Sequence, residues 1–215
     1  DISREEMLSY FKMLDLEYDA ETNEVIAPTF RHEMYDAYKG TRKPMPEELR
    51  QQVPVMKDVL KAMNVTIVEQ AGLEADDILG TLAKKAVADG IQVSLISGDR
   101  DLLQIASERI KIRIPKTKGG KTEIEDYYAA DVEAKYQVNP VQFIDLKALM
   151  GDTADNIPGV PKVGEKTATE LMVKFGSLEG IYNHIDEISK KSIRESLAAN
   201  KELADLSKVL ATIKV

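Results

Sequence analysis

The chain has 215 residues, no cysteine and only two histidines, His32 and His184, which excludes disulfides, thiolate metal sites and a histidine-rich zinc centre. Apolar residues make up 43% of it; that supports one large domain or a main domain with a small one, and no run reaches the roughly 18 apolar residues of a membrane span. The formal net charge of −8 argues against a nucleic-acid partner as a sum but not as a distribution, because basic residues gather at 39–43, 111–121, 162–174 and 190–194, apart from the acidic clusters.

No signal-peptide pattern opens the chain, and the lack of cysteine fits a reducing compartment. It starts at Asp1, as a fragment or processed product would. Residues 3–14 read as a helix: Ser3 can cap it, Glu5 and Glu6 fill the first turn, and Met7, Leu8, Phe11 and Leu14 form a stripe. Between 15 and 28 only Val25-Ile26 looks strand-like. Aromatic and basic residues then interleave from Thr29 to Lys43, with Gly40 and two prolines interrupting regular structure. Such a stretch can offer cations and rings to a nucleic-acid strand; taken alone it better suits a surface helix and loop with its rings tucked into the core. A helix is expected at 46–63, where Leu49, Val53, Met56, Val59, Leu60 and Met63 recur at helical spacing.

The spacing next predicts a strand at 65–68, a helix at 75–89 and a strand at 92–96, a β-α-β order that implies a parallel pair with a right-handed crossover. Three carboxylates, Glu74, Asp76 and Asp77, crowd the start of that helix. By themselves they also suit a first turn facing the helix dipole. Two further pairs follow, Asp99 with Asp101 and Asp152 with Asp155, each beside a glycine. Carboxylates gathered from several places suit a hard divalent ion, and the ends of strands are where open α/β sheets bind ligands. A helical turn is expected at 102–106, an edge strand at 110–114, a basic hairpin turn around Gly119-Gly120, and helices at 127–136 and 142–149.

Residues 157–175, Ile157-Pro158-Gly159-Val160-Pro161-Lys162-Val163-Gly164-Glu165-Lys166-Thr167-Ala168 and onward, form a glycine-bracketed turn feeding a helix, which can present N–H groups to phosphate. The glycine and lysine spacing is not that of a P-loop; it resembles a helix-hairpin-helix. Helices at 178–184, 188–199 and 201–213 complete an α-helical subdomain. The fold class expected is α/β, a mostly parallel sheet flanked by helices, with a core at 1–150 that includes the segment 29–63, and a helix-hairpin-helix subdomain at 151–215.

In order, Thr29-Phe30-Arg31-His32-Glu33, Tyr38-Lys39-Gly40-Thr41-Arg42, Glu74-Ala75-Asp76-Asp77, Ser97-Gly98-Asp99-Arg100-Asp101, Gly151-Asp152-Thr153-Ala154-Asp155-Asn156-Ile157-Pro158-Gly159 and Val163-Gly164-Glu165-Lys166-Thr167-Ala168 resemble the 5′-nuclease (flap endonuclease and 5′–3′ exonuclease) family, in particular its bacterial domains that a DNA polymerase domain follows in the same chain. The resemblance implies a structure-specific nuclease of replication and repair, monomeric and in the bacterial cytoplasm at the nucleoid, acting on 5′ flaps, 5′ ends and branched DNA. It implies Glu74, Asp76, Asp77, Asp99, Asp101, Asp152 and Asp155 as ligands of two Mg²⁺ or Mn²⁺ ions. It implies Lys39 and Arg42 as catalytic arch cations. DNA contacts would come from Arg31, Lys39, Arg42, Gly159, Lys162, Gly164, Lys166 and Thr167, and a K⁺ would sit on the hairpin carbonyls. The family opens on an apolar-apolar-Asp-Gly strand that nothing here matches, so a weaker activity than that of an extended chain is expected. Tyr18-Asp19-Ala20 only loosely echoes a second family acid, and Asp19 is not assigned. Two alternatives stand: a non-catalytic DNA-junction module, and a small-substrate phosphatase that leaves the helix-hairpin-helix unexplained.

Overall fold

A computed structural model describes residues 17–19, 24–26 and 28–215; the helix expected at 3–14 lies outside them. The chain divides into two compact units, 1–78 and 79–215.

In the first unit β1 (Glu17–Asp19) pairs antiparallel with β2 (Glu24–Ile26), Tyr18 opposite Val25. A short helix, Phe30–Met34, follows. Residues 35–42 then make successive tight turns, with Tyr38 N–H donating to Tyr35 O at 2.9 Å, Gly40 N–H to Ala37 O at 3.0 Å and Arg42 N–H to Lys39 O at 2.9 Å. The helix expected at 46–63 forms in two pieces, Glu47–Arg50 and Gln52–Ala62. Pro54 accounts for the break, since it has no N–H to give to the preceding turn and is tolerated only in a first turn. The stripe stays open to solvent: Leu49, Met56, Val59 and Met63 are all about half exposed or more.

The strand expected at 65–68 does not form. Val65 and Val68 are exposed, and among the described residues no strand pairs with this segment. A short β-branched run without a partner has nothing to satisfy its amides in a ladder.

The helix expected next spans Ala75–Ala88. In the second unit β3 (Val93–Ile96), β4 (Ile110–Lys118) and β5 (Lys121–Tyr127) form a sheet in that order. β3 and β4 are parallel, Leu95 opposite Ile112, and a 3₁₀ turn, Asp101–Ile105, lies between them in sequence. The parallel pair therefore falls one step later in the chain than the expected one. β4 and β5 are antiparallel, joined by Gly119 and Gly120 with φ of 58° and 78°. Two consecutive positive φ angles are what a two-residue I′ hairpin turn needs, and glycine adopts them without strain.

The structure corrects two further expectations. β4 is central rather than an edge, because Ile110, Ile112 and Ile114 bury one face of it. The helix expected from 127 starts at Ala129, and residues 121–127 are strand. β5 escaped a periodicity reading because polar cross-strand pairs hold it: Arg113 to Asp126 at 2.8 Å, Lys116 to Glu125 at 2.5 Å, and the Thr117 and Thr122 hydroxyls at 3.2 Å. Pairs of this type stabilise a ladder without an apolar alternation.

Beyond the sheet, the helix Pro140–Met150 is the hub of the second unit, with Phe143, Asp145, Leu146, Lys147, Ala148 and Leu149 all buried. Asn139 starts it in a reciprocal capping box with Gln142, both bonds 2.9 Å. The helices Glu165–Phe175, Leu178–Asn183, Lys191–Ala199 and Lys201–Ala211 complete the unit. Asp145 fastens two of them, accepting from Leu178 N–H at 3.0 Å and pairing with Lys208 Nζ at 2.6 Å.

Candidate carboxylate centre and nucleic-acid interface

In the first unit the acidic turn meets the 29–42 segment. Arg31 donates through Nη1 to Asp77 Oδ2 at 2.8 Å and through Nη2 to Asp77 Oδ1 at 2.9 Å. Both residues are buried, at 3% and 0% exposure. Asp77 Oδ2 also accepts from Glu74 N–H at 3.2 Å, the backward half of a capping box at the start of the Ala75–Ala88 helix. Both oxygens of Asp77 are thus engaged, and Arg31 lies inside the fold. A fork this well matched buries both charges, and it joins Asp77, expected as a metal ligand, to Arg31, expected as a DNA contact.

Glu74 accepts from Lys39 Nζ at 2.5 Å and from Tyr38 hydroxyl at 3.3 Å through Oε2, while its Oε1 is buried without a hydrogen bond. Asp76 stands in the same first helical turn. Lys39 holds a left-handed φ of 55° and is drawn onto Glu74, whereas Arg42 is exposed.

Removing one partner of a buried fork leaves an uncompensated charge, so Asp77→Ala is expected to cost about 3–5 kcal/mol, read as a fall in the urea midpoint. Arg31→Met combined with Asp77→Leu is expected to recover most of that loss.

In the second unit a separate cluster surrounds a lysine. Lys147 Nζ lies 2.8 Å from Asp101 Oδ1 and also pairs with Asp152 Oδ2. Asp101 Oδ1 is buried and accepts no well-directed hydrogen bond despite that ion pair. Asp99 joins the cluster by accepting from Asp101 N–H at 2.9 Å. Burial, aided by the charges of Asp99 and Asp152 and opposed by Lys147, pushes the Asp101 carboxyl up to about 6. Burial would raise Asp152 too, but Lys147 and the N–H groups of Ala154 and Asp155 hold it below the ordinary range. Burial acts to lower the Lys147 ammonium, and the two acids outweigh it to give a net rise.

The loop after the Pro140–Met150 helix fixes Asp152. Asp152 and Ile157 exchange backbone hydrogen bonds of 2.9 and 2.8 Å, Val160 N–H reaches Leu149 O at 2.8 Å, and Ala154 N–H donates to Asp152 Oδ1 at 2.7 Å. Gly151 and Gly159, with φ of 72° and 62°, stand back to back; a Cβ on Gly159 would lie 2.4 Å from Gly151 N. Gly159 N–H donates to the Ser207 hydroxyl at 3.0 Å. Asp155 is buried in the same loop, its N–H 3.4 Å from Asp152 Oδ1.

Lys162, Gly164 and Lys166 are exposed and Thr167 is half-buried. Gly164 precedes the Glu165–Phe175 helix without a side-chain cap, so the first amides of that helix are not capped from within. Val163 N–H returns to Val160 O at 3.0 Å, closing a turn with Pro161 second and Lys162 third at φ of 69°. A positive φ at the third position is the mark of a type II turn, which favours glycine there. Lys162→Gly is therefore expected to raise stability by about 0.5–1 kcal/mol, measured by urea denaturation.

Among the described residues no three acidic or histidine side chains already converge on a metal-sized position. The chemistry of the second-unit cluster nonetheless fits a divalent ion: its donors are all hard oxygens, and three carboxylates around one ammonium leave a surplus of two negative charges.

The chain matches the family model for the 5′-3′ exonuclease N-terminal, resolvase-like domain over residues 11–137 and the model for the 5′-3′ exonuclease C-terminal SAM fold over 138–215. It belongs to the 5′-3′ exonuclease family. DNA polymerase I of Bacillus caldotenax is 48% identical over 86% of this chain, and that of Bacillus subtilis (strain 168) 47% over 86%. The chain spans 21% of the length of each of these relatives. Among solved structures, T5 5′-exonuclease with bound zinc is similar with a TM-score of 0.74 and 25% identity, covering 97% of this chain and 79% of that one. The bacteriophage T5 D15 flap endonuclease in complex with DNA and metal ions gives 0.70 and 27%, covering 87% and 71%. This family membership agrees with the α/β fold and the helical C-terminal part. Sequence reasoning missed Lys147 at the centre; the signal for it is a lysine set between Leu146 and Ala148 on a core helix, where a charge is stable only if paired.

Proposed function

We propose that this chain hydrolyses phosphodiester bonds at 5′ flaps and 5′ ends of DNA in a divalent-ion-dependent reaction of replication and repair. The observation that carries this reading is the half-buried Asp99, Asp101 and Asp152 cluster, more negative than Lys147 balances, in a chain of this family. Asp99, Asp101, Asp152 and Asp155, and likewise Glu74, Asp76 and Asp77, would serve as ligands of Mg²⁺ or Mn²⁺, two ions in all. Such ions supply a water activated at neutral pH and neutralise phosphoryl charge. Asp77 also anchors Arg31 and organises the helix start.

Arg42, exposed, binds a phosphate of the 5′ strand. Lys39 leaves Glu74 for the reacting phosphate, where its charge stabilises the transition state. Lys162 and Lys166 hold the duplex backbone together with Thr167 and the helix-start amides that follow Gly164, a grip without sequence information, and the hairpin carbonyls suit a K⁺. The partner is flapped or branched DNA, the working form is a monomer in the bacterial cytoplasm at the nucleoid, and a DNA polymerase domain follows in the same protein. A labelled 5′-flap duplex incubated with and without Mg²⁺ tests the reading. Cleavage only with Mg²⁺ is expected; binding without cleavage would make the chain a non-catalytic junction module.

A further inference from the structure

Lys147 is 8% exposed, and its ammonium contacts two carboxylates that the family reading assigns to divalent ions. It lies on a core helix, its four-carbon stem buried with the residues around it. An ammonium placed there occupies the same oxygens that an incoming cation would need. A lysine stem is flexible and its charge compact, so it can withdraw without unfolding the helix that carries it. Asp101, which accepts no well-directed hydrogen bond at its buried Oδ1, has little else to offset its charge.

We propose that the Lys147 ammonium is a resident counter-cation of the carboxylate centre, holding Asp101 and Asp152 together in the ion-free protein and competing with a divalent ion for their oxygens. This rests on the reading of these acids as a divalent-ion centre. It gives Lys147 two linked effects: stability without metal, and a ceiling on metal affinity. A lysine that only braced the fold would show the first effect and not the second.

The test is Mn²⁺ binding to the 215-residue chain, read by the electron paramagnetic resonance of free Mn²⁺, with melting measured in EDTA and in Mn²⁺. Lys147→Met and the milder Lys147→Gln are compared with the unaltered chain, all purified with Mg²⁺ present. Removing a unit charge about 4 Å from the ion is expected to tighten Mn²⁺ binding on the order of ten- to a hundredfold. Both variants should melt lower in EDTA and regain more on Mn²⁺ addition than the unaltered chain, and a Lys147→Met chain that folds only with Mn²⁺ supports the proposal. If the unaltered chain binds Mn²⁺ and both variants bind it within twofold of the same affinity, the proposal is overturned and the metal centre stands. If the unaltered chain binds no Mn²⁺, the centre itself is wrong and the proposal falls with it.

Discussion

Asp152→Asn is expected to lower Mg²⁺-dependent flap cleavage on the order of a hundredfold or more, with flap binding in Ca²⁺ changed by no more than severalfold. The substitution is close to isosteric. Its remaining carbonyl oxygen can still accept from Ala154 N–H, the 2.7 Å bond that shapes the loop. What changes is the other side of the group, where Oδ2 now pairs with Lys147; an amide NH₂ there offers neither a charge nor a ligand. Asp101 would be left as the partner of Lys147, and the surplus negative charge that suits a divalent ion would fall by one. Cleavage is read in single-turnover conditions with Mg²⁺ saturating, beside a urea melt that checks folding. A near-normal rate would remove Asp152 from the centre.

Gly159→Ala is expected to cost about 3 kcal/mol or more of stability and to depress cleavage even at temperatures where the chain remains folded. The added methyl would lie 2.4 Å from Gly151 N, 2.6 Å from Met150 C and 2.7 Å from Gly151 Cα. All three are backbone atoms of the turn that delivers Asp152, so no side chain can swing aside to relieve the contact. Positive φ at this position adds its own penalty for any residue with a Cβ. The strand-like bridge between Asp152 and Ile157 would have to open or shift, and Asp152 with it. A urea midpoint within about 1 kcal/mol of the unaltered chain would show that this loop is looser than its contacts imply.

The parts of the fold legible in the sequence are those with short-range signals. Gly119-Gly120 marks a hairpin because only a positive-φ pair fits there, and the helices after Gly164 carry clean apolar stripes. The acidic motifs stood out because unpaired carboxylates beside glycines are costly unless something holds them. What was illegible depends on partners distant in sequence. Arg31 reads as a surface cation until Asp77, 46 residues on, is seen to bury it. β5 reads as polar coil until β4 supplies its charges. The stretch at 65–68 has strand-forming residues, yet propensity does not supply a neighbour. Lys147 sits between Leu146 and Ala148, where its charge looks incidental, and its partners come from two other segments.

The hydroxyl of Ser207 accepts from Gly159 N–H at 3.0 Å and donates to Leu203 O at 2.7 Å, with no exposure to solvent. The Gly159 amide proton is thereby sealed under the Lys201–Ala211 helix. Its exchange with solvent deuterium requires that helix to lift away, so its protection should follow that of the helix's own amides rather than that of exposed loop amides such as Gly164. One backbone proton in the acidic loop thus serves as a clock for the opening of the last helix.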